Sequence, residues 1–278
     1  MRVGYLGPEG TFSHEALMVA GPSNADWETV ALPTVYDTVM AVHEGTVQRA
    51  LVPIENSLEG SVNATLDALA VETQDVTIVG ELVHPIRHCL IARRELPLEA
   101  IETVVSHPQA NAQCARFIRT RLPEATVVAV SSTADAVRLV SERDEPWAAL
   151  GNILSAEIYG CEILRSGVED VAENETRFVW LARDGDRPSS HGPWKTSLVF
   201  WGVGADAPGW LVRCLSEFAF RGVNMTKIES RPRKQGLGRY MFFVDVEGHD
   251  SDEAVAEAVQ ALHVHTDECR VLGSYPAA

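Results

Sequence analysis

The chain has 278 residues, of which 46% are hydrophobic and 22% charged, a composition typical of a soluble globular protein with two or three domains. Its net charge of −16 argues against nucleic acid or an anionic membrane as the main partner. The sequence shows no signal-peptide pattern and no apolar run of membrane-spanning length. Its five cysteines form no CxxC pair. We therefore expect a cytoplasmic protein with free thiols that binds neither nucleic acid nor membrane.

Strand-turn-helix units repeat along the first third of the chain. The pattern predicts strands over 3–6, 28–32 and 50–54 and helices over about 11–20, 34–43 and 62–70, with Thr11 or Ser13 capping the first helix. Such units form a parallel sheet, and ligands bind at the carboxyl ends of its strands. Glu9-Gly10-Thr11 and Glu55-Asn56-Ser57 both follow strands, so the sequence predicts a pocket at that edge. The turn before Thr11 could hold an anion on its backbone N–H groups, and a plain connection is the alternative.

A second set of alternating elements lies between residues 76 and 160. Strands are predicted over 76–82, 86–93, 102–106, 126–130 and 147–150, and helices over about 108–122, 133–141 and 152–159. Ser106 or His107 can cap the first of these helices, and Gly160 ends the last. Gln109 and Gln113 are four residues apart and therefore share a helix face. The repetition predicts two α/β lobes with a cleft between their strand ends.

The segment Glu173–Phe178 offers two carboxylates, an amide, a hydroxyl and a guanidinium at the start of a strand. Because side chains alternate along a strand, Thr176 and Phe178 point one way and Arg177 the other. In a cleft, Thr176 could present its hydroxyl while Arg177 holds an anion or braces the loop. A solvated turn with an ordinary salt bridge is the alternative.

The stretch 184–194 is the clearest linker, because it is rich in glycine, proline and serine. Beyond it the pattern predicts strands over 196–201, 225–230, 239–246 and 269–273 and helices over 209–220 and 252–262, the second capped by Asp250 or Ser251. The order βαββαβ predicts a ferredoxin-like domain, and small domains of this kind are usually binding modules.

Nucleotide and metal sites are disfavoured by spacing. Gly202-Val203-Gly204 lacks the third glycine of a dinucleotide fingerprint, and the histidines and cysteines at 84–89 and 263–269 lack metal-ligand spacing. What remains are polar groups at strand ends: Asn56, Ser57, Ser106, Gln113 and Thr176, with Glu55 and Arg177. Such a set suits binding a small polyanion and steering one leaving group. It suits nucleophilic catalysis poorly, because no histidine stands in an evident base position.

Several motifs resemble those of the prephenate dehydratase family. They are Gly-Pro-Glu-Gly-Thr-Phe-Ser at 7–13, Pro-Ile-Glu-Asn-Ser at 53–57, Gly-Ser-Val at 60–62, Ser-His-Pro-Gln-Ala at 106–110 and Asn-x-Thr-Arg-Phe at 174–178. The stretch at 222–232 resembles the family's ACT regulatory domain. The resemblance implies a two-lobed α/β catalytic domain over 1–183, similar to a periplasmic-binding-protein type II fold, with lobe one at about 1–74 plus 174–183 and lobe two at about 75–173. The linker 184–194 and a ferredoxin-like ACT domain over 195–276 would follow.

The same resemblance implies an enzyme of L-phenylalanine biosynthesis that converts prephenate to phenylpyruvate, carbon dioxide and water, without cofactor or metal. Thr176 matches the family's key catalytic threonine, which would donate a hydrogen bond to the departing oxygen or relay a proton. Arg177, Glu55 and Asn56 would complete the catalytic set, although Glu55 could instead brace its turn. The substrate-binding residues would be Thr11, Ser57, Ser106, Gln113, Asn174 and Phe178.

For the ACT domain the resemblance implies allosteric binding of phenylalanine at contacts between the subunits of a homodimer or homotetramer. The residues concerned are Gly209, Trp210, Leu211, Val212, Asn224, Glu229, Ser230, Arg231 and Pro232. Trp210 stands where the family pattern has a small alanine, so its ring could narrow or fill the effector pocket. It could weaken phenylalanine or favour another effector.

Other functions stay open at this point. Arogenate is an alternative substrate, and a prephenate decarboxylase is an alternative enzyme, disfavoured by Thr176-Arg177-Phe178 and the complete ACT domain. A solute-binding protein would also have two lobes around a cleft, but the absent export signal and the threonine motif oppose it.

Overall fold

The computed structural model describes residues 1–21, 26–183, 185, 192–202 and 207–278, so most of the predicted linker lies outside the described residues. The described chain forms two compact units. The first contains Met1–Thr38, Leu51–Gly60 and Val83–Phe178, and the second contains Val39–Ala50, Ser61–Leu82 and Val179–Ala278. No helix of the described residues has the length and apolar character needed to cross a membrane. The predicted domain boundaries stay a prediction.

The predicted βα units of the first third are present. The elements are β1 (Arg2–Leu6), α1 (Phe12–Ala20), β2 (Glu28–Leu32), α2 (Val35–His43), β3 (Arg49–Asn56), the two-residue β4 (Gly60–Ser61), α3 (Asn63–Asp67), a π-helical turn (Ala68–Glu72) and β5 (Val76–Pro85). β1 and β2 pair in parallel, as expected. Together with β11 (Glu175–Arg183) the strands form a sheet of order β2-β1-β3-β11-β5, with β4 beside β3. The single helix predicted over 62–70 was wrong, because its second half widens into the π-helical turn.

A second sheet holds the middle of the chain. Its elements are β6 (Cys89–Ala92), a 3₁₀ turn (Leu98–Ala100), β7 (Thr103–Ser106), α4 (Pro108–Gln113), α5 (Ala115–Arg121), β8 (Thr126–Ala129), α6 (Thr133–Ser141), β9 (Trp147–Gly151), α7 (Ile153–Tyr159) and β10 (Glu162–Ser166). The order is β10-β6-β9-β7-β8, parallel among β9, β7 and β8 and antiparallel elsewhere. His107 caps α4, and Gly160 ends α7 in the left-handed conformation. The polar edge strand β10 was not predicted, because its residues show little apolar alternation.

The predicted βαββαβ order is confirmed. It consists of β12 (Trp194–Trp201), α8 (Trp210–Ala219), β13 (Met225–Pro232), β14 (Tyr240–Glu247), α9 (Glu253–Leu262) and β15 (Glu268–Pro276), in an antiparallel sheet of order β13-β14-β12-β15. Phe200 and Phe218 are fully buried between sheet and helices, each contributing roughly 1.5–3 kcal/mol of hydrophobic stabilisation. The cap predicted for α9 was wrong: the N-cap is Asp252, whose carboxylate accepts from His249 N at 2.8 Å.

Within the second unit, this sheet contacts the segment Ser61–Leu82. Lys195 Nζ lies 2.6 Å from a carboxylate oxygen of Glu81, whose side chain is only 1% exposed. The guanidinium of Arg231 donates two bonds to one carboxylate oxygen of Asp67 and a third, of 2.9 Å, to the other. Arg270 donates to the carbonyls of Leu69 and Thr73, beside the π-helical turn. Strand β13 is therefore joined by a charged pair to the last residue of α3.

Candidate active site

Asn56 and Thr176 meet where β3 ends and β11 begins, because the two strands are neighbours in the sheet. The Asn56 amide nitrogen lies 2.9 Å from Thr176 Oγ1, 2.8 Å from Asn174 Oδ1 and 3.1 Å from the Glu175 carbonyl. All three side chains are at least nine-tenths buried. Since the threonine oxygen accepts from Asn56, its own proton is left for another acceptor, and it meets none among the residues that the structure describes.

The orientation of the Asn56 amide is fixed by the backbone. Its Oδ1 accepts from Leu58 N and from Glu59 N, each at 3.0 Å. Backbone N–H groups can only donate, so the oxygen must face them and the nitrogen must face Thr176. The turn after β3 therefore determines which way the Thr176 hydroxyl is polarised.

A chain of amides continues from Asn56 to a buried histidine. Asn174 Nδ2 donates to Gln113 Oε1 at 3.2 Å, and the same oxygen lies 3.1 Å from His88 Nε2. Gln113 Nε2 donates to the Glu59 carboxylate at 3.4 Å. This bond keeps the Gln113 amide oxygen turned toward Asn174 and His88. Burial lowers the pKa of His88, and its bond to Gln113 and the nearby Glu169 oppose that shift only in part.

Gln113 is placed by a break in its helix. The helix predicted over 108–122 was wrong, because it divides at Cys114. The Gln113 carbonyl accepts from Asp170 N at 2.7 Å, and the Asp170 carboxylate accepts from the backbone N–H groups of Arg116 and Phe117. Asp170 thus caps α5 and fixes Gln113 at the end of α4.

Arg177 and Glu55 form an ion pair beside this cluster. The guanidinium lies 3.2 Å from a carboxylate oxygen of Glu55, and the Arg177 side chain is 10% exposed. The pair links the end of β3 to β11, which favours the bracing role for Arg177. It also compensates the negative charge of Glu55, which would otherwise repel an anionic substrate.

The other predicted site residues divide into two groups. Ser57 belongs to the cluster, since its Oγ accepts from Glu175 N at 3.0 Å and lies 3.4 Å from Asn174 Oδ1. Thr11 caps α1, accepting from His14 N and donating to the Leu6 carbonyl at 2.8 Å. Ser106 is fully buried and donates to the Leu150 carbonyl at 2.7 Å, and Phe178 is a core residue. The structure does not bring Thr11, Ser106 or Phe178 into the hydrogen-bonded cluster, and their contact with substrate stays a prediction.

A cavity of about 300 Å³ adjoins the cluster at Gln113 and Asn174. Three of its lining residues are the acids Glu59, Glu169 and Asp170. Glu169 is paired with Arg87 at 3.2 Å, and Asp170 accepts from two backbone N–H groups of α5, so the negative charge of these two acids is partly compensated.

Sequence reasoning missed His88 and Glu59 as members of the cluster. His88 was considered only as a metal ligand beside His84 and Cys89. Its partner Gln113 is 25 residues away in the chain, so no spacing rule would have paired them. Glu59 follows Asn56 in the same turn, and its proximity to the polar motif was the one available signal.

Comparison with known proteins gives the family. The prephenate dehydratase model matches residues 3–186, and the ACT domain model matches residues 198–264. The prephenate dehydratase of Mycobacteroides abscessus is 40% identical to this chain, and the match covers 99% of this chain and 90% of the relative. The prephenate dehydratase of Bacillus subtilis is 37% identical, with 99% of this chain and 98% of the relative covered. The chain belongs to the prephenate dehydratase family.

Solved structures support the same fold. The prephenate dehydratase of Arthrobacter aurescens in complex with L-Phe superposes with a TM-score of 0.91 at 39% identity, covering 100% of this chain and 90% of that one. GqqA, described as a novel type of quorum-quenching acylase, superposes with a TM-score of 0.87 at 33% identity, covering 100% and 98%. The predicted α/β fold class with a C-terminal ACT domain is confirmed.

The ACT residues of this prephenate dehydratase family member lie at two places. Residues Gly209–Val212 line a cavity of about 280 Å³ at the start of α8, with Tyr240 and Phe242. Trp210 is 4% exposed, its ring centroid lies 5.8 Å from that of Phe242, and its Nε1–H donates to the His265 carbonyl at 2.6 Å. Its ring is therefore part of the domain core.

The remaining predicted effector residues belong to β13 and its approach. Asn224 precedes the strand and is exposed, and Glu229–Pro232 form its end. Exposure alternates along β13, so Glu229 and Arg231 are more buried than Ser230 and Pro232. The Arg231 guanidinium forms an ion pair with the Asp67 carboxylate. Binding of an effector by these residues stays a prediction.

Proposed function

We propose that this chain catalyses the decarboxylating dehydration of prephenate in L-phenylalanine biosynthesis. The bond between the ring carbon and its carboxylate breaks and releases carbon dioxide. The electron pair enters the ring and expels the ring hydroxyl, which takes up one proton and leaves as water. Phenylpyruvate keeps the remaining carboxylate, and aromatisation drives the step, so no base is required.

The donated bond from Asn56 to Thr176 carries the proposal. A threonine hydroxyl is too weak an acid to be a free proton source, but a hydrogen bond directed at an oxygen that gains charge stabilises the transition state. The Asn56 amide donates to the Thr176 oxygen, which acts as the acceptor, so the hydroxyl proton points elsewhere. The site is buried, which strengthens such a bond.

The start of α1 supports anion binding near the cluster. Phe12 is the first residue of α1, and the edge of its ring contacts the His88 imidazole at 5.2 Å between ring centroids. Helix N-termini attract anions through free backbone N–H groups and the helix dipole. We assign the backbone N–H groups at the start of α1, the helix that Thr11 caps, to one of the two substrate carboxylates. Asn174, Ser57 and Gln113 would orient the ring.

Regulation and assembly form the second part of the proposal. The relative from Arthrobacter aurescens was solved in complex with L-Phe. We extend phenylalanine binding to the ACT domain of this chain. In this proposal the catalytic domain spans 1–183 and the ACT domain spans 195–276. β13 is an edge strand of its sheet, which suits pairing in a homodimer or homotetramer. All five cysteines are free thiols, in keeping with the cytoplasm.

The test is turnover of prephenate by the purified protein, measured as phenylpyruvate absorbance in base, with Thr176→Ser and Thr176→Val. Valine keeps the shape without the hydroxyl, and we expect it to lower kcat by about 10²–10³-fold. Serine restores the donor and should recover most of the rate. Equal rates for valine and wild type would refute the role of Thr176.

Parallel reactions separate the alternatives. Prephenate consumed without phenylpyruvate indicates a decarboxylase, and turnover of arogenate alone indicates the variant substrate. Release of an acid from an acylated quorum signal, without prephenate turnover, would favour the acylase activity described for GqqA. Added phenylalanine should change the rate if the ACT domain binds it.

A further inference from the structure

His88 lies at the far end of the amide chain that reaches Thr176. It is 2% exposed, and its backbone N–H donates to the Glu169 carboxylate at 2.9 Å. Its Nε2 faces Gln113 Oε1 at 3.1 Å, while its Nδ1 is buried without a hydrogen-bond partner among the described residues. The ring therefore has one polar contact, and that contact is to a residue of the candidate active site.

The contact determines the tautomer. Gln113 Oε1 also receives the Asn174 amide, so it is an acceptor for both neighbours. A lone pair on His88 Nε2 would oppose the lone pairs of that oxygen, whereas an N–H there completes the bond. The other nitrogen then carries only a lone pair. Burying an unpaired lone pair is less costly than burying an unpaired N–H.

The donor directions along the chain follow from its two ends. Leu58 N and Glu59 N fix the Asn56 oxygen, and the Glu59 carboxylate, which accepts from Gln113 Nε2, fixes the Gln113 amide. Between them, Asn174 can only accept from Asn56 and donate to Gln113. If Gln113 reversed its amide, its NH₂ would face the Asn174 NH₂ and its oxygen would face the Glu59 carboxylate.

We propose that His88 is a positioning residue for the dehydratase reaction: together with the Glu59 carboxylate it holds the Gln113 amide, and Gln113 holds Asn174 as the acceptor for the Asn56 amide that also donates to Thr176. It acts as a neutral Nε2–H donor and takes no part in proton transfer to the substrate. The inference rests on the proposed function, because its effect is on the Thr176 hydroxyl.

The kinetic test compares two substitutions of His88. His88→Leu removes the donor at similar size, and we expect kcat to fall about tenfold with KM changed less than about threefold, because one buried hydrogen bond is lost from the donor arrangement. His88→Gln carries an N–H at the same number of bonds from Cβ, so it should stay within about threefold of wild type. Failure of His88→Gln to exceed the rate of His88→Leu would overturn the assignment.

A double substitution separates positioning from packing. In a Gln113→Leu background, His88→Leu should cost less than about twofold in kcat, because its effect passes through Gln113. An undiminished loss in that background would overturn the proposal. His84→Leu is the matched control, because this histidine is also buried but bonds Glu15 at 3.0 Å instead of a member of the amide chain. If His84→Leu lowered kcat as much as His88→Leu, the effect would be assigned to packing.

A spectroscopic test does not depend on turnover. Long-range ¹H–¹⁵N correlation spectra of the wild-type protein with ¹⁵N-labelled histidine distinguish the two tautomers of His88, with His88→Gln used for assignment. An Nε2–H tautomer supports the proposal, and an Nδ1–H tautomer overturns it. If the wild type fails to convert prephenate, the proposed function fails while this result still judges the hydrogen-bond direction.

Discussion

Asn56→Asp reverses the bond that directs the Thr176 hydroxyl while leaving the shape of the site almost unchanged. One carboxylate oxygen keeps the bonds from Leu58 N and Glu59 N. The other replaces the amide nitrogen 2.9 Å from Thr176 Oγ1 and must accept there, so it draws the threonine proton away from the substrate. Losing a donor to an oxygen that gains charge costs about 10²–10³-fold in kcat, or roughly 2.7–4 kcal/mol.

The assay is steady-state phenylpyruvate formation, with KM expected within about threefold of wild type because the lost bond forms in the transition state. The matched control is Asn174→Asp, which adds the same charge at the neighbouring amide but still accepts from Asn56 and does not face Thr176. We expect it to cost about tenfold, because it breaks the bond to Gln113. Equal losses for the two variants would show that charge, and not the direction of the hydroxyl, controls the rate.

A second check uses coupling. In a Thr176→Ala background, Asn56→Asp has no hydroxyl to redirect, so its cost should shrink to about threefold or less. Costs that multiply in the double variant would refute the mechanism even if each single variant behaved as expected. Asn56→Asp also turns a carboxylate oxygen toward two acceptors, Asn174 Oδ1 and the Glu175 carbonyl, and this should cost about 2–3 kcal/mol of stability. The single and the double variant should therefore be assayed well below their melting temperatures.

Three further predictions concern stability and regulation. Burial lowers the pKa of His88 below its unfolded value of about 6.5, so the unfolded state binds more protons at acidic pH. The free energy of unfolding of the wild type should therefore fall as the pH drops below that value. In urea titrations, His88→Gln should lose less stability than wild type between about pH 7.5 and about pH 5.5. Trp210→Phe should cost about 1–2 kcal/mol because the His265 carbonyl loses its donor, and Trp210→Ala about 3–5 kcal/mol, both by chemical denaturation. Asp67→Asn weakens the ion pair with Arg231, and we expect it to shift the phenylalanine concentration that gives a half-maximal effect by at least about threefold. Without phenylalanine, kcat should be unchanged. An unchanged half-maximal concentration would rule out a role of this ion pair in regulation.

The sequence predicted the elements and the residue types of the site because both depend on local chemistry. Apolar periodicity placed β3 and β11, and the polar motifs at their ends indicated Asn56 and Thr176. That the two meet depends on β3 and β11 being neighbours in the sheet, although 120 residues separate the two side chains in the chain. Family resemblance supplied this connection, and periodicity alone could not.

Features that depend on long-range hydrogen bonds were missed. Asp170 divides the helix predicted over 108–122 by taking the Gln113 carbonyl, and nothing in the local sequence indicates a cap from 57 residues away. The direction of the Trp210 ring depends on the His265 carbonyl and on Phe242 in the same core. The ring was expected to narrow or fill an effector pocket; it is buried in the core and also lines the cavity at the start of α8, so its effect on an effector stays a prediction.

The hydrogen-bond direction of the cluster also explains why a site without a base can be catalytic. An active site that removes a proton needs a base aimed at the substrate, and a threonine hydroxyl is not one; here Asn56 donates to the Thr176 oxygen, which leaves the hydroxyl proton to be donated. The same bond strengthens the hydroxyl as a donor, since an oxygen that accepts a hydrogen bond in a buried chain polarises its own O–H. The arrangement is therefore suited to a leaving oxygen and unsuited to a nucleophile, as the decarboxylating dehydration requires. Adding a base could not replace it: in a Thr176→His variant the imidazole would compete with Asn56 for space, and we expect phenylpyruvate formation to stay at the level of Thr176→Val.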